Sequence, residues 1–157
     1  MMKSEEKIGK ILKKGGLKIA VAESCTGGLV GSKITDVPGA SSYFLGGIVA
    51  YSNEIKMDIL GVKKETLENF GAVSEECARE MAIGVSNLFK ADVAIATTGI
   101  AGPSGGSKDK PVGLVYIGVK IGENIEVRKY VFKGKRMEIK DKIANKALED
   151  AVIMLTK

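Results

Sequence analysis

Two short apolar runs constrain this chain most. Leu17–Ala22 and Asp92–Thr98 are each too short for a buried helix. Each leads directly into small residues and glycines: Glu23-Ser-Cys-Thr-Gly-Gly28 after the first and Gly99–Gly113 after the second. Apolar runs of this length, bounded by turn residues, suit strands covered on both faces. The segments around them have helical spacing. Ser4–Lys14 places Ile8, Ile11 and Leu12 on one face, with Ser4 as a candidate N-cap, Glu5 and Glu6 in the first turn, and Gly15–Gly16 as the stop. Thr26–Ile34, Ser52–Leu60 and Met137–Thr156 also read as helices, and Thr66–Phe70 as a short helical turn. Ser74–Phe89 is the clearest helix, opened by Ser74, Glu75 and Glu76, with Ala78, Met81, Ala82, Val85, Leu88 and Phe89 on its apolar face. Phe44–Tyr51 reads as a further strand after a turn at Asp36–Ala40. Gly113–Ile121 and Ile125–Lys133 read as a hairpin around Gly122-Glu123-Asn124. Strands interleaved with helices, then a hairpin and a last helix, predict an α/β fold: one three-layer domain over residues 1–157, with a mixed β-sheet flanked by helices. The pattern leaves strand order open.

Composition narrows the chemistry. The chain contains no histidine, so neither a Ser-His-Asp site nor a histidine zinc site can be built within it. A nucleophile here needs lysine, tyrosine, a carboxylate or water as its base. The two cysteines, Cys25 and Cys77, are far apart in sequence and support neither a disulfide framework nor a metal cluster. No run approaches the ~20 apolar residues of a membrane span. The charged start has no apolar core of a signal peptide, so a cytoplasmic, membrane-free protein is expected. The formal net charge of +5 fits either a solvated lysine-rich surface or attraction of an anionic ligand. Aromatic residues are only 5% of the chain, with no Trp, which disfavours a nucleic-acid reader built on stacking.

Ser24 stands at a strand-to-helix turn, where an open α/β sheet presents ligands to its carboxyl edge. Amides near Thr26, Gly27 and Gly28 are candidates for an oxyanion or phosphate, and the two glycines let a ligand approach the backbone. Thr97–Ser107 has no P-loop ending, yet its glycines fit a pocket wall, with Thr98 and Gly99 nearest the sheet.

Five blocks then carry a family resemblance: Ala22-Glu-Ser-Cys-Thr-Gly-Gly28; Tyr51-Ser-Asn-Glu54 with Lys56; Gly71-Ala-Val-Ser74; Thr98-Gly-Ile-Ala-Gly-Pro103 with Gly105-Gly106; and Lys110-Pro-Val-Gly113. Together they resemble the CinA carboxy-terminal (PncC-like) family, from about Ile8 to Leu155. The resemblance implies hydrolytic deamidation of nicotinamide mononucleotide to nicotinic acid mononucleotide and ammonia. It needs no metal or organic cofactor. It implies Ser24 as nucleophile, with Tyr51 and Lys56 in support, Lys56 taking the serine proton directly or through the Tyr51 hydroxyl. Glu23, Thr26, Gly27, Gly28, Thr98, Gly99, Gly105 and Gly106 are the expected substrate contacts. Arg136 is retained where Lys135 replaces the family's acidic residue, and it is a candidate for bidentate phosphate binding. Cys25, beside the nucleophile, is the competing thiol. Some relatives carry an additional amino-terminal domain, for which 157 residues leave no room. The expected partner is a small nucleotide substrate, and a homo-oligomer is compatible with the sequence. The alternative is a non-catalytic nucleotide- or DNA-associated module, suggested by the clustered lysines.

Overall fold

The computed structural model describes all 157 residues. In chain order its elements are α1 (Ser4–Gly15), β1 (Ile19–Glu23), α2 (Leu29–Thr35), a 3-10 turn (Ala40–Ser42), β2 (Phe44–Val49), α3 (Asn53–Asp58), α4 (Lys64–Phe70), α5 (Glu75–Phe89), β3 (Val93–Gly99), β4 (Leu114–Ile121), β5 (Asn124–Val131) and α6 (Arg136–Leu155). The five strands form one sheet in the order β2-β1-β3-β4-β5. β1 pairs in parallel with β2 and β3, and the β3–β4 and β4–β5 pairs are antiparallel. This is the expected mixed sheet between helical layers.

The central strands sort residues by size between the two faces. Ile19 and Val21 of β1, with Val93 and Ile95 of β3, join the core beneath α1, α2 and α6. The alternate positions, Ala20, Ala22, Ala94 and Ala96, face α5 through Met81, Ala82 and Val85. Small residues on that face let α5 approach closely. A β-carbon at Gly118 of β4 would lie 3.1 Å from the Ala78 carbonyl oxygen. The two-sided burial of β1 and β3 explains why their sequences are almost continuously apolar.

Several boundaries differ from the sequence expectation, each for a local reason. α2 begins at Leu29, not Thr26, because Gly27 (φ 60°) and Gly28 (φ 105°) take left-handed backbone that a helix cannot continue through. Ser4 lies inside α1. Lys3 holds the cap position, and its N–H donates to Glu6 Oε1 at 3.3 Å. β2 ends at Val49, two residues before the expected limit, and Ser52 caps α3 by accepting the Ile55 N–H at 3.2 Å. The hairpin turn is Gly122-Glu123, with Asn124 already paired to Ile121. The carboxyl ends of the three parallel strands now lie side by side, and the candidate site is built there.

Candidate active site

The turn after β1 is organised by Glu23, not by a ligand. Its buried carboxylate faces inward and accepts four hydrogen bonds: Thr26 Oγ1 at 2.6 Å, Gly28 N at 3.2 Å and Val30 N at 2.8 Å on Oε1, and Gly31 N at 2.9 Å on Oε2. Thr26 gives its proton to this carboxylate, so Thr97 Oγ1 donates to Thr26 Oγ1 at 2.8 Å. The Gly27 amide donates to the Ser24 carbonyl at 3.1 Å. Glu23, Thr26 and the amides of Gly27 and Gly28 are therefore committed within the chain. The backbone N–H groups of Cys25 and Thr26 make no hydrogen bond to a backbone carbonyl. Ser24 itself is anchored by its own N–H, which donates to Thr97 O at 3.0 Å and extends the β1–β3 pairing by one residue.

Ser24 opens on a cleft of about 210 Å³ whose walls include Tyr51, Lys56, Thr98, Gly99 and Arg136. With Cys25, seven of the residues given a role in the sequence thus meet around one cavity. The strand order makes this meeting possible: Ser24 follows β1, Tyr51 follows β2, and Thr98 and Gly99 end β3. Thr98 does not offer its hydroxyl to the cavity freely, because Oγ1 donates to Ala72 O at 2.7 Å. That bond holds the segment before α5 against the sheet and brings Ala72 and Val73 into the cleft wall. Ala72, Val73 and Asn53 belong to the blocks singled out above, yet no role was attached to them. Alanine and valine carry no chemical signal, and a single asparagine at a helix start is not distinctive; the fold gives all three a place.

Lys56 is 1% exposed although it carries an ammonium group in its ordinary state. Its Nζ has one hydrogen-bond partner, Tyr51 O at 3.1 Å, and no carboxylate. Desolvation by burial is the main influence on it and lowers its pKa. A neutral amine has two N–H donors where the ammonium has three, so it needs one acceptor fewer, and its lone pair is free to take a proton. Cys25 lines the same cleft, but burial pushes its thiol up to about 12. It therefore stays protonated near neutral pH and is a poor nucleophile.

Arg136, the first residue of α6, ties the rim together. Nη1 donates to Gly102 O at 2.7 Å and Nη2 to Tyr51 Oη at 3.2 Å. Two of its donors thus fix the glycine loop and the exposed tyrosine. Gly105 and Gly106 lie apart from this cleft. Both are exposed, and a β-carbon at Gly106 would come 2.8 Å from the Val112 amide nitrogen, so that part of the loop packs on the returning chain. Gly27 and Gly28 line a neighbouring depression with Ser32 and Lys140. Lys140 was not singled out in the sequence, although its spacing of four residues from Arg136 on a helix was the available signal. No helix is long and apolar enough to cross a membrane.

Comparison with known proteins agrees with this architecture. The model of the CinA C-terminal domain matches residues 1–155. A CinA-like protein of Chlorobium limicola is 53% identical over 152 residues, covering 94% of this chain and 35% of the relative. The chain thus spans about a third of the length of the curated relatives it matches. Among solved structures, the competence/damage inducible protein CihA from Agrobacterium tumefaciens has a TM-score of 0.94 at 40% identity, covering 98% of this chain and 94% of that one. A competence or damage-inducible protein from Enterobacter asburiae has a TM-score of 0.94 at 34% identity, with 99% of both chains covered. The chain belongs to the CinA C-terminal domain family.

Proposed function

We propose that this domain is a serine–lysine amidohydrolase acting on the carboxamide of nicotinamide mononucleotide. The observation that carries the proposal is Lys56, buried without a counter-ion in the same histidine-free cleft as Ser24. A lysine held neutral by desolvation is a competent general base. In the proposed reaction Lys56 Nζ accepts the Ser24 hydroxyl proton while Oγ attacks the carboxamide carbon. The oxyanion is met by the N–H groups of Cys25 and Thr26. Protonated Lys56 then returns its proton to the departing nitrogen, ammonia leaves, and an acyl-enzyme ester remains. Water, deprotonated by Lys56, attacks that ester, the bond between the acyl carbon and Ser24 Oγ breaks as Lys56 returns the proton to Oγ, and nicotinic acid mononucleotide is released with Ser24 and neutral Lys56 restored. Arg136 orients Tyr51 at the cleft mouth, and Thr98 holds the opposite wall through Ala72.

The choice of substrate rests on the motif resemblance read from the sequence, and a cleft with Arg136 on its rim is compatible with an anionic nucleotide. The test is ammonia release from nicotinamide mononucleotide by the purified protein, compared with its Ser24→Ala variant. Stoichiometric ammonia and nicotinic acid mononucleotide are expected from the parent, and turnover lower by on the order of a thousandfold or more from the variant. No ammonia from the folded parent would remove the reading.

A further inference from the structure

Beside the catalytic cleft, across the Ser24–Gly28 turn, lies a second depression of about 370 Å³. Thr26, Gly27, Gly28 and Ser32 form one side, and Met137 and Lys140 of α6 form the other. Two helical residues four apart share a face, so Arg136 on the cleft and Lys140 in the depression form one cationic rim joining the cavities. A β-carbon at Gly27 would lie 3.8 Å from Lys140 Nζ, which places the ammonium directly over the bare glycine backbone. Lys140 has no acidic partner. The nearest candidate in sequence, Asp141, is held instead by Lys33 at 2.9 Å.

We infer that this depression is a phosphomonoester subsite, with Lys140 Nζ and the Ser32 hydroxyl as its ligands to phosphate. The inference rests on the proposed amidohydrolase reading for its link to catalysis. The turn glycines serve it differently from an amide nest. Their N–H groups already go to Ser24 O and Glu23 Oε1, so glycine here supplies room and side chains supply charge. Ser24 and Gly27–Gly28 belong to one turn, so a ligand with its carboxamide at Ser24 would extend its ribose and phosphate over that turn towards Lys140. Arg136 has two donors on Gly102 and Tyr51, so the unpaired Lys140 is the better phosphate anchor.

Two measurements test this. Inorganic phosphate titrated into the protein should shift the backbone amide resonances of Gly27, Gly28 and Ser32. Its affinity should fall about tenfold in Lys140→Gln, the low end for a charge-assisted bond at a half-buried site. Lys146→Gln, on the same helix but paired with Glu149 at 3.3 Å, controls for net charge and should not weaken it. In turnover, the ratio of kcat/KM for nicotinamide mononucleotide to that for its riboside should fall about tenfold in Lys140→Gln. Absence of phosphate-dependent shifts at the turn, or equal phosphate affinity in the two variants, overturns the subsite. If the parent releases no ammonia, the amidohydrolase reading fails, and the phosphate titration still decides the subsite by itself.

Discussion

Lys56 and Cys25 sit in the same cleft and are pushed by burial to opposite chemical outcomes. Desolvation always favours the neutral form: it keeps the thiol protonated and shifts the amine towards its neutral state. The serine mechanism therefore predicts that Cys25→Ala retains most turnover. Ser24→Ala retains almost none, and the reverse pattern would move the nucleophile to sulfur. The same logic fixes the pH dependence. Only neutral Lys56 can accept a proton, so kcat should rise with pH through an apparent pKa below the ordinary lysine value. Lys56→Arg cannot deprotonate and should lose roughly a hundredfold or more. Stability follows pH in the same direction. Below 10.5 and above the lowered folded pKa, the unfolded chain binds a proton that the folded chain does not, so stability from this group increases as pH rises across that window. Lys56→Met should thus melt higher than the parent near neutrality, with the advantage shrinking towards pH 10.5. An inactive variant with a pH-independent stability difference would detach Lys56 from this role. These residues were visible in the sequence as a pattern of types, but the burial that turns a lysine into a base belongs to the fold.

At the scale of the element, the turn from β1 to α2 depends on one side chain that the sequence reading had given to the substrate. A glutamate beside a nucleophile and two glycines is equally suited, by type and spacing, to a ligand contact or to an internal clamp. Its direction is decided by strand alternation and by where α2 begins. The left-handed Gly27 and Gly28 delay the helix to Leu29, and the delay points Val30 N and Gly31 N at the Glu23 carboxylate. The helix period alone cannot locate such a start, because Thr26–Ile34 has acceptable spacing throughout. Gly105 and Gly106 show the same ambiguity in a loop: glycine-rich sequence after a strand looks like a pocket wall, but the first part of the loop is what reaches the cleft. The clamp predicts a specific cost. Glu23→Gln leaves one oxygen for the donors now shared by Oε1 and sets an NH2 group against a backbone N–H. Losing a hydrogen bond to a charged group should lower stability by about 1.5–3 kcal/mol. It should also slow labelling of Ser24 by a fluorophosphonate, since the amides of Cys25 and Thr26 would lose their fixed direction. Unchanged melting and labelling would show that the carboxylate does not organise the turn.

At the scale of the molecule, parallel pairing of β2, β1 and β3 brings the loops after them to one edge, and α6 returns to close that edge with Arg136 and Lys140. Strand order was not legible, because β1 and β3 are adjacent only after a crossover of more than sixty residues, and no local pattern records which strands will pair. The nearly continuous apolar runs of β1 and β3 did record that both faces are covered. Net charge acts at this same scale. The protein carries +5, and its site rim adds cationic side chains. Nicotinamide mononucleotide combines a pyridinium cation with a phosphate near −2 at neutral pH, so it is about −1 overall. Its riboside keeps only the cation. The protein field should therefore attract one substrate and repel the other. Raising ionic strength from about 0.01 M to about 1 M shortens the Debye length from about 30 Å to about 3 Å and removes most of that long-range difference. The expected result is a pair of opposite salt slopes: kcat/KM falls several-fold for the mononucleotide and rises modestly for the riboside. Slopes of the same sign and size would mean that salt acts on the protein itself rather than on encounter, and that the net charge has no part in choosing the anionic substrate.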